Sequence, residues 1–170
     1  MDVKTLRLAS IGLTQSLLNQ YLAYERVLVA EFDRTQGHSD WEGRFAFAHQ
    51  HALHEAKLDV LTYEKIRALV GDWCSHQGTL EVVRQRLDTA KASATAATAA
   101  QHLVDPKDQK LIERAERELP GLACLDDLEA RYGQEALRVL EGLGDVVLAS
   151  HREVARREGC HHPEMRPLGH

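Results

Sequence analysis

LRVLEGLGDVVLASHREV, residues 137–154, carries Leu137, Leu140, Gly144, Val147, His151 and Val154 at alternating steps of three and four. That spacing lays all six side chains along one stripe of an α-helix. A seam of apolar and small residues needs another helix to cover it, so the stretch predicts a chain of packed helices. It also puts an ionisable imidazole where a leucine would be expected. Gly142 and Gly144 each weaken the helix by about 1 kcal/mol against alanine. Close approach of a neighbour or a kink would account for them.

The same patterning extends outward. Upstream, Leu122, Leu125 and Leu128 mark a short helix over 122–132, leading into a last helix over 134–158 with Gly159 as its C-cap. Asp105-Pro106 has the form of an N-cap followed by proline at the first helical position, where its missing amide costs nothing. The helix it opens is expected to run over 106–118 and to stop at Pro120-Gly121. Before it, Tyr63, Ile66, Val70, Trp73, Gln77 and Leu80 form a seam that continues as Val83, Leu87, Ala90 and Ala94. Ala92–Ala100 is almost wholly Ala, Thr and Ser and has no large side chain to anchor it, which predicts a frayed helix end or a mobile connection.

Near the N-terminus, Leu6, Leu13, Leu17, Tyr21, Tyr24, Leu28 and Phe32 predict one long helix over 3–35. It would be capped by Asp2, ended by Gly37, and about 50 Å long at 1.5 Å per residue. Ser39-Asp-Trp-Glu42 has the capping-box form and opens a helix to about Lys57, with Trp41, Phe45, Ala48, Ala52 and Ala56 on one face. Leu58-Asp59 reads as a short junction. The expected fold is all-α: an antiparallel bundle of four to five main helices with one shorter broken segment. It would form a single domain over 1–159, followed by a loose tail over 160–170.

Composition agrees with this class. The 170 residues suffice for a sizeable core, aromatic residues make up only 5%, and charged residues of both signs make up 28%. With a net charge of −5, nucleic acid is not an expected partner, because phosphate binding rests on clustered Lys and Arg. The nearest cluster, Arg152, Arg156 and Arg157, lies in the last turns of a helix, where cations answer exposed carbonyls. Cys74, Cys124 and Cys160 form no CxxC pair, which favours reduced thiols over a disulfide framework. Polar residues at 10–16 interrupt any hydrophobic run, so neither a signal peptide nor a membrane span is expected. The location expected from this is cytoplasmic.

No Walker loop, Rossmann glycine pattern, GxSxG elbow, HExxH or paired ExxH helices occur. Chemistry must therefore be sought among the ten histidines. His51, His54 and Glu55, at i, i+3 and i+4, can share a face, but that face lies opposite the Trp41/Phe45 stripe and is expected to meet water. His151 is core-facing by its seam. Candidate partners on other helices are Glu25, His49, His76 and Gln77, which together would form a polar layer at mid-bundle. Tyr21, Tyr24, Glu25, Trp73 and Cys74 can line the core or a small pocket.

The leading expectation for function is a non-enzymatic interaction or accessory module acting on a protein partner or by self-association. The alternative is a bundle that holds a divalent transition metal or cofactor through His151, Glu25, His49, His54 and His76. An acid/base enzyme built on the same layer is a third reading.

Overall fold

The computed structural model describes residues 12–35 and 41–161, and these form helices with no strand. The helices are α1 (Gln15–Arg34), α2 (Trp41–Ala56), α3 (Val60–Ala99), α4 (Pro106–Leu122), α5 (Asp126–Tyr132), α6 (Gln134–Gly142) and α7 (Gly144–His161). The chain divides into two compact units, 1–74 with 128–170, and 75–127.

In the first unit, α1 starts at Thr14, whose backbone is extended and whose hydroxyl accepts the Leu17 amide at 3.2 Å. The described residues before it, 12–14, are not helical, so α1 is shorter than the expected 3–35. The caps read at Asp2, Gly37 and Ser39 lie outside the described residues. At its other end, the Thr35 hydroxyl donates to the Glu31 carbonyl at 2.7 Å and satisfies one terminal acceptor. Glu42 lies in the first turn of α2. The junction after α2 turns on Lys57, which has a φ of 54°. Asp59 then caps α3, accepting from the Thr62 amide at 2.9 Å and the Thr62 hydroxyl at 2.6 Å.

The core of this unit follows the seams. Leu18, Tyr21, Tyr24, Leu28 and Phe32 are buried on α1, Ala48, Ala52 and Ala56 on α2, and Tyr63, Ile66, Leu69, Val70 and Trp73 on α3. Leu137, Leu140 and Val147 from the opening stretch close it. Burial of each large aliphatic side chain contributes roughly 1.5–3 kcal/mol. The alanine face of α2 lets α1 and α2 approach closely, with Phe32 and Phe45 ring centroids 6.0 Å apart.

The expected single helix over 134–158 is two helices. The helical bonding tightens at Leu143, whose amide bonds the Leu140 carbonyl at 3.0 Å, and α7 starts at Gly144. Glycine's weak helix propensity favours the break, and the missing Cβ at Gly144 admits the Trp73 ring, which a Cβ would meet at 3.2 Å. The two glycines therefore give both a break and a close approach. At the far end α7 runs to His161, past the expected cap at Gly159. The short helix α5 begins at Asp126 rather than 122, and Gly133, with φ +84°, turns the chain into α6. Tyr132 and Arg131 fix this turn to α3 through Asp72, at 2.7 and 3.3 Å.

In the second unit, two expectations are corrected. The Ala/Thr/Ser segment is no frayed end: α3 is continuous to Ala99. Alanine favours helix, Thr89, Thr95 and Thr98 return their hydroxyls to carbonyls four residues back, and Lys91 pairs with Glu116 of α4 at 2.7 Å. The helix opened by Asp105, whose carboxylate accepts the Lys107 amide at 2.8 Å, does not stop before Pro120 but continues to Leu122. A proline in the last turn removes a single backbone donor, and the Ala123 amide still closes on the Leu119 carbonyl at 2.9 Å.

Candidate functional site

Helices α1 and α7 run side by side in the same direction. Glu25 faces His151 at mid-helix and Asp33 pairs with Arg157 at 3.0 Å further on. Between them sits the most unusual side chain of the molecule. Glu25 is 2% exposed, and its Oε2 has no hydrogen-bond partner. Its Oε1 lies 3.9 Å from Nδ1 of His151, an electrostatic contact too long for a hydrogen bond. Burial pushes the Glu25 carboxyl up to about 7 and Glu158 adds to this, while the nearby Ser150 and Tyr21 hydroxyls pull it back.

Glu25 separates two cavities. On one side is a small polar space of about 60 Å³ lined by Tyr21, Tyr24, Tyr63, Arg67, His151 and Glu158, among others. Its size suits one or two water molecules. The Tyr24 hydroxyl donates to Tyr63 at 3.2 Å and meets Nδ1 of His49 at 2.8 Å. With its single proton given to Tyr63, Tyr24 accepts from an Nδ1–H of His49. Burial raises all three tyrosines above the usual phenol range. Burial and the Arg67 charge hold His151 below the usual imidazole value. Burial also lowers His49, against Glu64, which raises it.

On the other side a groove of about 700 Å³ opens between α1 and α7. Leu22 and Val29 on α1 and Val146 and Ala149 on α7 form its apolar walls, with Glu25 and Ser150 among them and Asn19, Arg26, Asp145 and Glu153 at its margins. Val146 is half exposed, at 52%. The groove spans Asn19 to Val29, about 15 Å of helix.

The expected polar layer is assembled in part. Glu25 and His151 are brought together, and Tyr21 joins them. His151 lies at the boundary rather than fully inside, with a side chain 34% exposed and no hydrogen bond to its carboxylate neighbour. The expected interior hydrogen bond is therefore replaced by a longer contact, because the imidazole at the helix edge stays partly hydrated. His49 serves the tyrosines instead. His54 is on the surface, 84% exposed, beside Glu55 at 3.4 Å. His76 belongs to the second unit, where its Nε2 is buried without a hydrogen-bond partner. Among the described residues no group of three or more His, Cys, Asp or Glu side chains gathers to hold a metal ion. Burial, with Glu25 nearby, pushes the Cys74 thiol up to about 12, which removes it as a nucleophile at neutral pH.

The polar face of α2 meets water as expected, with the His51, His54 and Glu55 side chains 40%, 84% and 52% exposed, but His51 also has a partner. Its Nδ1 lies 3.0 Å from Oε1 of the buried Glu31, whose Oε2 takes Arg34 at 2.6 Å. A long acidic side chain reaching over from α1 draws the imidazole inward, which reading α2 by itself does not show.

Sequence reasoning found Glu25 and His151 but missed Ser150, Arg67 and the groove. The signal for the groove was present as Leu22 and Val29, seven apart, and Val146 and Ala149, three apart, all off the main seams. Comparison of the chain with known protein families, curated proteins and solved structures finds no match. No helix among the described residues is long and apolar enough to cross a membrane.

Proposed function

We propose that the chain is a non-enzymatic binding module that holds a small, largely apolar ligand in the groove between α1 and α7. The observation that carries this reading is the groove itself: about 700 Å³ of mostly apolar space with the buried, half-unsatisfied Glu25 carboxyl in its lining. Small-molecule sites occupy roughly 300–1,000 Å³ and combine apolar walls with a few placed polar groups, one of them often a perturbed acid. Polar side chains at the margins, Asn19 and Asp145 toward one end and Glu153 toward the other, bound the apolar stretch. A bounded stretch suits a ligand of limited length better than a partner helix running through. This reading keeps a non-enzymatic module but replaces the expected protein partner or self-association with a small-molecule occupant.

The test is a groove-filling substitution. Ala149 is exposed and lines the groove, so Ala149→Phe should leave folding intact while occupying the space. A solvatochromic dye such as Nile red should bind the wild-type chain saturably at one site and lose that site in the variant, with unchanged circular dichroism. Equal dye binding by both proteins would refute the groove as the site.

A further inference from the structure

We infer that the groove takes an amphiphilic cation, an alkyl- or arylammonium compound whose charged nitrogen reaches the Glu25 carboxyl while its apolar body lies against Leu22, Val29, Val146 and Ala149. This rests on the binding-module reading and adds the chemistry of the ligand.

One oxygen of the Glu25 carboxyl, Oε2, is unsatisfied. A buried acceptor without a donor is costly, more so when charged, and such groups are rare in folded chains. Glu25 is that case: 2% exposed, with Oε2 unpartnered. A ligand donor entering from the groove would satisfy it, and a cationic donor would also neutralise the carboxylate in a site of low polarity, where charge-assisted hydrogen bonds are strongest.

Among the described residues no Lys or Arg comes within ion-pair distance of Glu25. The groups facing it are Tyr21 on its own helix, Arg67 and Cys74 on α3, and Ser150, His151 and Glu158 on α7. Of these Arg67 is the cation at pH 8, and it lines the small cavity rather than the groove, while His151 is held below its usual value. Asp145 at the groove margin repels an anionic headgroup and favours a cationic one, while Glu153 is already paired with Arg156 and Arg157. Among the described residues Arg26 is the one cation in the lining. It would anchor an anionic ligand instead, which makes the sign of the headgroup a decisive observable.

The experiment is isothermal titration calorimetry on the full chain at pH 8 with three probes of equal length: decylammonium, 1-decanol and decanoate. Decylammonium should bind the wild-type chain at one site at least about tenfold more tightly than decanol. Glu25→Gln should reduce this advantage to about twofold or less while decanol affinity stays unchanged. Glu42→Gln, on the exposed start of α2, removes the same formal charge elsewhere and should leave the advantage intact, which separates a specific contact from the general pull of an acidic chain. A second readout needs no variant. At pH 6 Glu25 gains its proton, so the wild-type advantage should shrink.

An advantage that survives both Glu25→Gln and pH 6 overturns the inference. So does equal binding of decanol and decylammonium, or tighter binding of decanoate, which would assign the site to Arg26. These outcomes leave the groove standing. If no probe saturates, or Ala149→Phe alters none of them, the binding-module reading itself fails.

Discussion

Replacing Glu25 by Gln gives the sharpest thermodynamic test of the site. A glutamate carboxyl titrates near 4.5 in the unfolded chain and near about 7 in the folded one, chiefly because burial disfavours the carboxylate. The folded state therefore favours the protonated form. The stabilisation this gives is fully present below pH 4.5 and is lost as the pH rises through 7. At roughly 1.4 kcal/mol per pH unit, that interval amounts to about 3 kcal/mol. Glutamine keeps the shape and carries no charge at any pH. The difference in unfolding free energy, variant minus wild type, should rise by about 3 kcal/mol between pH 4.5 and 8 and then level off. Urea denaturation of both proteins at half-unit pH steps measures it. The change with pH is what matters, because an unpaired amide in the variant adds a constant offset of about 1–3 kcal/mol. Contributions of His49 and His151, whose folded values are lowered and whose stabilisation is lost as the pH falls through 6.5, are common to both proteins and largely cancel. A difference that stays flat across the range would refute the reasoning and place Glu25 in a hydrated setting.

Trp73→Ala should destabilise by roughly 3–5 kcal/mol in denaturant titration, the usual cost of removing a buried aromatic, since Trp73 is 3% exposed. Gly144→Ala places a methyl 3.2 Å from the packed Trp73 ring and should destabilise by up to about 2 kcal/mol, because overpacking exceeds the gain in helix propensity. Tyr24→Phe removes the hydroxyl shared with Tyr63 and His49 and should cost about 1–2 kcal/mol, with the His49 resonance moving in proton NMR. His151→Leu breaks no hydrogen bond and should change stability at pH 7 by less than about 1 kcal/mol. Below pH 6.5 the variant should gain on wild type, because the wild-type ring is disfavoured as an imidazolium.

What the sequence made legible was local. The Asp105-Pro106 cap needs only three residues to be recognised, and Trp73, Tyr63 and Ile66 declare their burial by helical period. The meeting of Glu25 and His151 was legible in part: His151 stands in its seam, and Glu25, beside the Tyr21/Tyr24 stripe, was one of four candidate partners. Errors arose where a neighbour decides the outcome. The helix breaks at Gly142–Gly144, where glycine at 144 also leaves room for the Trp73 ring, while the featureless Ala/Thr/Ser run stays helical with Lys91 held by Glu116. The partner of His51 was missed because its carboxylate comes from another helix. The groove was invisible for the same reason: Leu22 and Val146 are more than a hundred residues apart, and each alone reads as an ordinary apolar residue beside a seam.

The most direct measurement follows the Glu25 carboxyl carbon by ¹³C NMR as the pH is changed, with and without decylammonium. In the free protein the midpoint should fall near 7. Saturating ammonium should shift that midpoint downward by a unit or more, as a bound cation stabilises the carboxylate. A free midpoint near the ordinary 4.5, or a raised midpoint that the ammonium leaves in place, would contradict the assignment of Glu25 as the polar anchor of the groove.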